Sequence, residues 1–475
     1  MMKYLLIATT AVLAINTVAF AKSASFYDNI DHNEEVTRKI NLELQSVVEI
    51  VTDIKFRTQS SASSYFYVVP RELEYNQISI QATVPGQVEN LKITKMDHLD
   101  DSVLRRFTKE NATDVIFFNI EIPGGNFNAF TVKELYKRRK NPFPSTIKIQ
   151  DDHYLLFTDS KYYISAYPTK SQRVQFSYET SATVFYTPDS TAEKKSRLLK
   201  YGPFKDMPQF SYEQVMVHYK YNGPLPIFTQ YKKTIEISHW GNILVDEYYD
   251  IFNEAAGIKG EFGRVDYQHW NPNVASYAVR SMETNLQRYV RGLYYWDYIG
   301  NISTSNAHRD SNQVKFRIEP RFPIFGQWKT DWSQGYSTPT RYHLFQDAAQ
   351  TSRYIFNYTF IPDFDEFLSE NFTIKVILPE GATNIKFHLP FQVDSVESGL
   401  HFSTLDYIGR PSITITKDNV HKLIHNEAFQ VSYDFSNQGM FIEPLYVIAA
   451  FFVCYLSATF YARSNFSLEE NKKRQ

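Results

Sequence analysis

The stretch Phe429–Phe435, FQVSYDF, sets an apolar or aromatic side chain at every second position and a polar one between. Alternation with a period of two is the mark of a β-strand that turns one face to a core and the other to water. The same pattern recurs along the chain. Val48, Ile50, Ile54 and Phe56 interleave with Glu49, Asp53 and Lys55, and Val174, Phe176 and Tyr178 with Gln175, Ser177 and Glu179. Val215–Tyr221, Val314–Ile318 and Phe372–Leu378 repeat it. Few windows before residue 440 carry a helical stripe. Aromatic residues make up 16% of the chain, with 34 Tyr and 37 Phe, a bias that favours strands over helices. The predicted fold is mainly β: two tandem luminal β-sandwich-like domains followed by one C-terminal transmembrane helix.

A chain of 475 residues is long for a single core. Val47–Phe56 opens one strand-rich block, and Thr234–Ser238 followed by Ile243–Ile251 opens a second. Between them, Tyr221–Pro226 (YNGPLP) supplies turn chemistry. This places β-rich domains at residues 22–230 and 231–436, with a coarse internal repeat.

The two ends carry targeting signals. Leu445–Ala462 is an uncharged apolar run between Glu443-Pro444 and Arg463. As a helix it reaches roughly 27 Å, enough for the thin bilayer of the endoplasmic reticulum. Residues 441–462 are therefore read as a transmembrane helix and 463–475 as a cytosolic tail, with positive residues just past the span. The tail ends KKRQ, so Lys472 and Lys473 stand third and fourth from its end as a dilysine retrieval signal, an address rather than an anchor. At the other end, Lys3, the apolar Tyr4–Val18 and Ala19-Phe20-Ala21 form a cleavable secretory signal over residues 1–21. The resulting expectation is a single-pass type I protein of the endoplasmic reticulum membrane with most of its chain in the lumen.

Composition narrows the chemistry. A net charge of −2 leaves no nucleic-acid footprint. The single cysteine, Cys454, lies in the span, so the lumen holds no disulfide, no thiol nucleophile and no cysteine zinc site. HExxH, GxSxG, P-loop and GxGxxG motifs are absent, and no cofactor is expected. His425-Asn426-Glu427 lacks a second metal histidine, and His218 reads as a solvated or satisfied strand residue. Asp363-Phe364-Asp365-Glu366 and Asp246-Glu247 are carboxylate pairs of the kind a glycosidase uses, and also of the kind that decorates exposed strands.

Four luminal sequons begin at Asn111, Asn301, Asn357 and Asn371. Tyr295–Gly300 (YWDYIG) precedes the second. It is similar to the WWDYG peptide of the catalytic oligosaccharyltransferase subunit, but its first Trp is Tyr and Ile299 is inserted. That subunit needs many membrane helices and this chain has one, so the segment reads instead as a strand ending in a turn that displays Asn301.

Longer segments are distinctive. Ile237–Ile243 (ISHWGNI), Gly257–Gly260 (GIKG) and Phe262–Gln268 (FGRVDYQ) are followed by Ile299–Ser305 (IGNISTS), Pro320–Lys329 (PRFPIFGQWK), Ile377–Ala382 (ILPEGA) and Leu405–Pro411 (LDYIGRP). Tyr163–Lys170 (YISAYPTK) and Tyr201–Asp206 (YGPFKD) lie in the first half. Together these resemble ribophorin I, the single-span, non-catalytic subunit of the eukaryotic oligosaccharyltransferase complex. The resemblance runs in order over most of the chain and is less clear before about residue 150. It implies a subunit of the complex that moves a preassembled oligosaccharide from dolichyl diphosphate to Asn of nascent chains. Its expected work is complex assembly and acceptor handling, not catalysis. Implied partners are the other subunits, including the multi-span catalytic one, and nascent polypeptides at the translocon. Asn301 falls on the family's glycosylated segment. The thirteen-residue tail is closer to the fungal form than to the long-tailed animal one. Trp240, Trp270, Trp328 and Trp332 are candidate interface anchors, at least half of them expected in the core. The alternatives are an anchored luminal hydrolase and a single-span lectin or chaperone.

Overall fold

The computed structural model describes residues 30–58, 64–86, 89–96, 115–122, 127–179, 183–265, 276–302, 306–403, 409–436 and 440–464. Residues 1–21, Asn111, Trp270, Lys472 and Lys473 lie outside that set.

The alternating stretches are strands. All of FQVSYDF but its last residue, Phe435, falls in Ala428–Asp434, with Phe429, Val431 and Tyr433 fully buried and the residues between them facing outward. Val47–Thr58, Thr169–Ser177, Gln214–Lys220, Gln313–Ile318 and Leu368–Ile377 take up the others.

Seven strands form the main sheet of the first half. Their order is Glu193–Lys195, Leu198–Met207, Thr169–Ser177, Ile30–Asn41, Val47–Thr58, Ala129–Lys137 and Gln77–Thr83. All neighbours are antiparallel except Ile30–Asn41 with Thr169–Ser177. Two smaller sheets cover it. One joins Thr183–Tyr186, Gln214–Lys220, Tyr154–Ser160 and Lys140–Pro142; the other joins Ser64–Pro70, Val115–Glu121 and Ile93–Met96. One hydrophobic core connects all three sheets.

The second half repeats this plan. Its main sheet runs Ser395–His401, Arg410–Val420, Leu368–Ile377, Pro226–Ser238, Asn242–Asn253, Lys329–Pro339 and Arg291–Asp297, then the short Gly300–Asn301. Again the only parallel pair joins the opening strand, Pro226–Ser238, to Leu368–Ile377. A four-stranded sheet (Leu344–Gln346, Arg353–Thr359, Ala428–Asp434, Thr383–His388) and a three-stranded sheet (Met282–Gln287, Gln313–Ile318, Asn306–Arg309) occupy the corresponding places. The internal repeat is therefore a repeat of topology. The first repeat starts one strand earlier than its sequence block suggests, at Ile30–Asn41, whereas Thr234–Ser238 already lies in the second repeat's opening strand; Val47–Thr58 then matches Asn242–Asn253. The expected boundary, within about ten residues of 230, takes in the turn at Asn222–Leu225 and the start of Pro226–Ser238, where the chain passes from the first set of sheets to the second.

The halves are fused. Thr146–Ile147 of the first pairs in parallel with Gly257–Ile258 of the second. Ile147, Ile149, Ala255, Ala256, Tyr277 and Phe325 form a core at this seam, and Val47, Leu135, Ile227 and Leu368 form another. Arg138 reaches Glu254 at 2.7 Å and Glu370 at 2.9 Å, and Lys137 meets Glu370 at 3.2 Å. His153 is buried, which lowers its pKa to about 4; the neutral ring accepts a hydrogen bond from the Ala256 N–H.

The last described element is the helix Ile442–Arg463, with Pro444 in its first turn, where a missing N–H costs nothing. The segment Pro444–Arg463 is long and apolar enough to cross a membrane. Ser457 and Thr459 donate their hydroxyls to the carbonyls of Val453 and Tyr455, which satisfies these polar groups within the helix itself.

Candidate functional site

One carboxylate of the acidic pairs that suggested hydrolysis, Glu247, is built into the core, while Asp363, Asp365 and Glu366 line the cleft between the halves. On Pro226–Ser238 the inward set is Tyr231, Lys233, Ile235 and Ile237, and on Asn242–Asn253 it is Val245, Glu247, Tyr249 and Ile251. Lys233 and Glu247 are register partners. Their charged groups stand 3.0 Å apart at zero side-chain exposure, and Asp363 completes a triad at 3.3 Å from the Lys233 ammonium. Tyr231 and Tyr249 donate hydroxyl hydrogen bonds to Glu247 at 2.5 and 2.7 Å, and the Gln334 amide donates at 2.9 Å. Burial alone would raise the Glu247 carboxyl, but Lys233 and the tyrosines hold it below its usual range. Asp363 goes the other way: burial and the charge on Glu247 push it up to about 7.

A glycosidase needs two carboxyl groups open to one substrate. Glu247 has every lone pair engaged and no exposed side-chain surface, so it is closed to a substrate, while Asp363 is 11% exposed at the edge of the triad. The first half has its own version on its opening strand. Buried Arg38 pairs with Asp159 at 3.1 Å, and Glu134 accepts hydroxyl hydrogens from Tyr67 and Tyr136 at 2.8 and 2.6 Å. Tyrosine fits both places because its ring packs as a hydrophobe while its hydroxyl satisfies a buried charge. Asp246 is separate and bonds Tyr294; Asp365 and Glu366 form an outer pair with Lys422.

Asp297 is also architectural. Strand Arg291–Asp297 ends there, and the Asp297 carboxylate accepts the N–H groups of Ile299 and Gly300 at 2.9 and 3.1 Å. Arg321 binds the same carboxylate at 2.5 Å and donates to the carbonyls of Gly300 and Asn301. That guanidinium holds the carboxyl below the usual range, the wrong direction for a general acid. The result is a stiff hairpin tip with Asn301 exposed on it and Trp296, Tyr298 and Ile299 exposed beside it.

The other sequons differ. Asn371 is exposed on its strand, but its amide nitrogen donates to the Thr229 carbonyl at 2.8 Å. Asn357 is half-buried, with its side-chain oxygen enclosed.

The histidine motif is inert. His425 is buried against Phe391 at 4.9 Å and accepts a hydrogen bond from the His421 N–H. His218 contacts the Phe143 carbonyl at 3.0 Å. Among the described residues no three His, Cys, Asp or Glu side chains converge as a metal site would require.

Two surface features stand out. A polar cleft of about 970 Å3 opens where the halves meet, lined by Gln45, Lys220 and Asn222 on one side and by Arg280, Glu283 and Asp365 on the other. Of the tryptophans, Trp332 is core, Trp328 is half-buried and Trp240 is exposed at the hairpin Ser238–Asn242.

Comparison with known proteins bears on the whole chain. The family model described as Ribophorin I matches residues 32–462. Dolichyl-diphosphooligosaccharide–protein glycosyltransferase subunit 1A of Arabidopsis thaliana is 30% identical over 466 residues, covering 97% of this chain and 74% of that protein. Subunit 1 of Caenorhabditis elegans is 28% identical over 97% of this chain and 76% of its own length. Subunit 1B of Oryza sativa is 32% identical over 69% of this chain and 68% of that one. One solved structure, titled as a putative protease from Parabacteroides distasonis, overlays with a TM-score of 0.22 at 10% identity, covering 85% of this chain and 99% of that one. So loose an overlay bears on neither fold nor chemistry.

Proposed function

Because the chain belongs to the ribophorin I family, we propose that it is a non-catalytic subunit of the endoplasmic reticulum oligosaccharyltransferase complex. That complex transfers a preassembled oligosaccharide from dolichyl diphosphate to Asn of nascent proteins. The observation that carries the reading is the family match over residues 32–462, which takes in both sets of sheets and the apolar helix. Its work is assembly of the complex and handling of acceptor chains. The fused halves support this as a stiff scaffold, and the cleft of about 970 Å3 between them is of the volume that ligand sites commonly have. The hydrolase alternative draws no support from Glu247, which is sealed. The lectin alternative draws none from Trp328 or Trp332, which pack inward.

The test is co-purification. Tagged chain solubilised in mild detergent is expected to bring down a multi-span transferase subunit and other members of the complex; recovery of the chain alone sinks the proposal.

We read the sheets as luminal, the span as type I, and Lys472 and Lys473 as a retrieval signal that the complex partly duplicates. Asn301 is the sequon best placed to carry a glycan without disturbing the fold. Asn301→Gln is expected to remove one step of the gel shift seen on glycosidase treatment. An unchanged ladder argues against occupancy there.

A further inference from the structure

Three separate segments bring exposed apolar side chains to the end of the second half from which the helix departs. Trp240 is 66% exposed at the tip of Ser238–Asn242, and its ring centroid lies 6.4 Å from that of Phe441, itself 55% exposed. Leu400 and Phe402 are each 58% exposed. They flank Gly409 together, so they share a face of the chain.

These segments are tied to one another. His239 stacks on Phe435 at 4.1 Å and contacts the Tyr433 hydroxyl at 2.9 Å, locking the hairpin tip to the strand that leads into the helix. Arg410 pairs with Glu236 and donates to the carbonyls of Ile237 and Leu378, and it lies opposite His401 in the sheet. The hairpin tip, the Leu400–Phe402 segment and the helix start therefore form one rim.

The helix decides what the rim meets. Ile442–Arg463 starts directly after Phe441, and its side chains from Leu445 to Leu456 are uncharged, almost all apolar, and exposed. Hydrocarbon must therefore begin within the helix's first turns, which puts Phe441 in the headgroup layer. That layer is about 5–7 Å deep on each side of a bilayer, and the Trp240 ring, 6.4 Å from that of Phe441, lies within one such depth of it. Tryptophan at this depth keeps its ring in the apolar boundary and its N–H in the wet zone.

We propose that Trp240, Leu400 and Phe402 seat in the interfacial layer of the bilayer around Phe441, so that the folded region is docked on the membrane at a second point besides its helix. With the halves fused at the seam, two points of attachment set the orientation of the whole body. The proposal rests on reading the helix as a span.

The experiment is tryptophan quenching of the full chain in nanodiscs containing phosphatidylcholine brominated near the headgroup end of its acyl chains. The intact chain is expected to lose part of its emission relative to unbrominated discs, and Trp240→Phe is expected to abolish that loss. Leu400→Ser with Phe402→Ser, which leaves every tryptophan in place, is expected to reduce it. If the chain co-elutes with discs and the brominated lipid quenches nothing, or quenches Trp240→Phe as strongly as the parent, the docking proposal is overturned while the span stands. If the chain does not enter discs, the span reading falls and the docking proposal with it.

Discussion

Lys233→Ala is expected to destabilise the second half by about 3–5 kcal/mol, the usual cost of stranding a buried charge. Glu247 would keep its negative charge at 1% exposure with only tyrosine and glutamine hydrogen bonds to hold it. Thermal unfolding of the detergent-solubilised chain measures the loss. The double variant Lys233→Met with Glu247→Gln should recover part of it, because the sealed charge of Glu247 is gone and only Asp363, 11% exposed, has lost its cation; a double variant as unstable as the single one would show that packing, not the Glu247 charge, dominates.

Asp363 gives the same triad a pH signature. Its carboxyl is raised to about 7, against an ordinary aspartate near 4. A carboxyl raised by folding binds its proton more tightly in the native state. Its contribution is full below about pH 4 and drains away as pH climbs to about 7. Glu247 is lowered and works in the opposite sense: its contribution is present above about pH 4 and is lost in stronger acid. Asp363→Asn keeps an oxygen for Lys233 and Tyr336 and removes the first titration. The fall in melting temperature from pH 5 to pH 8 should therefore shrink in this variant, and an undiminished fall would mean another group is responsible.

Gly326→Val strikes the seam. A Cβ at this position would lie 2.0 Å from the Ala256 carbonyl oxygen and 2.5 Å from that of Ala255. Both obstacles are backbone and cannot rotate away. Overpacking commonly costs about 1–3 kcal/mol, and here the strain falls on the segment Ala255-Ala256 of the second half, which leads straight into Gly257–Ile258, the strand that pairs with Thr146–Ile147 of the first. Calorimetry is expected to show one cooperative transition in the parent chain and two in the variant, as the halves melt separately. A single transition at the parent's temperature would mean that the seam does not couple them.

The strands were legible because most have one wet face, and alternation records that directly. Pairing was not: the parallel partners Ile30–Asn41 with Thr169–Ser177, and Pro226–Ser238 with Leu368–Ile377, are far apart in sequence. The buried triad was half legible. Lys233 keeps phase with Tyr231 and Ile235, and Glu247 with Val245 and Tyr249, so the alternation already points both charges inward. Asp363 follows a strand and carries no such phase. Asp297 was readable as the end of a strand, but its tie to Arg321 depends on a loop that local patterning does not bring near. Sequons were visible and their surroundings were not: the amide of Asn371 is spent on Thr229, and the oxygen of Asn357 is enclosed.

The repeated topology has a consequence for biogenesis. All strands of the first half's three sheets find their partners before the chain reaches Pro226. That half can close while the remainder is still being made, since domains fold as units from the N-terminus. Among the described strands only Thr146–Ile147 must wait, its edge open until Gly257–Ile258 arrives to cover it. With no cysteine ahead of Cys454, neither half needs an oxidant to finish. Maturation of this chain is thus a matter of vectorial timing rather than redox chemistry.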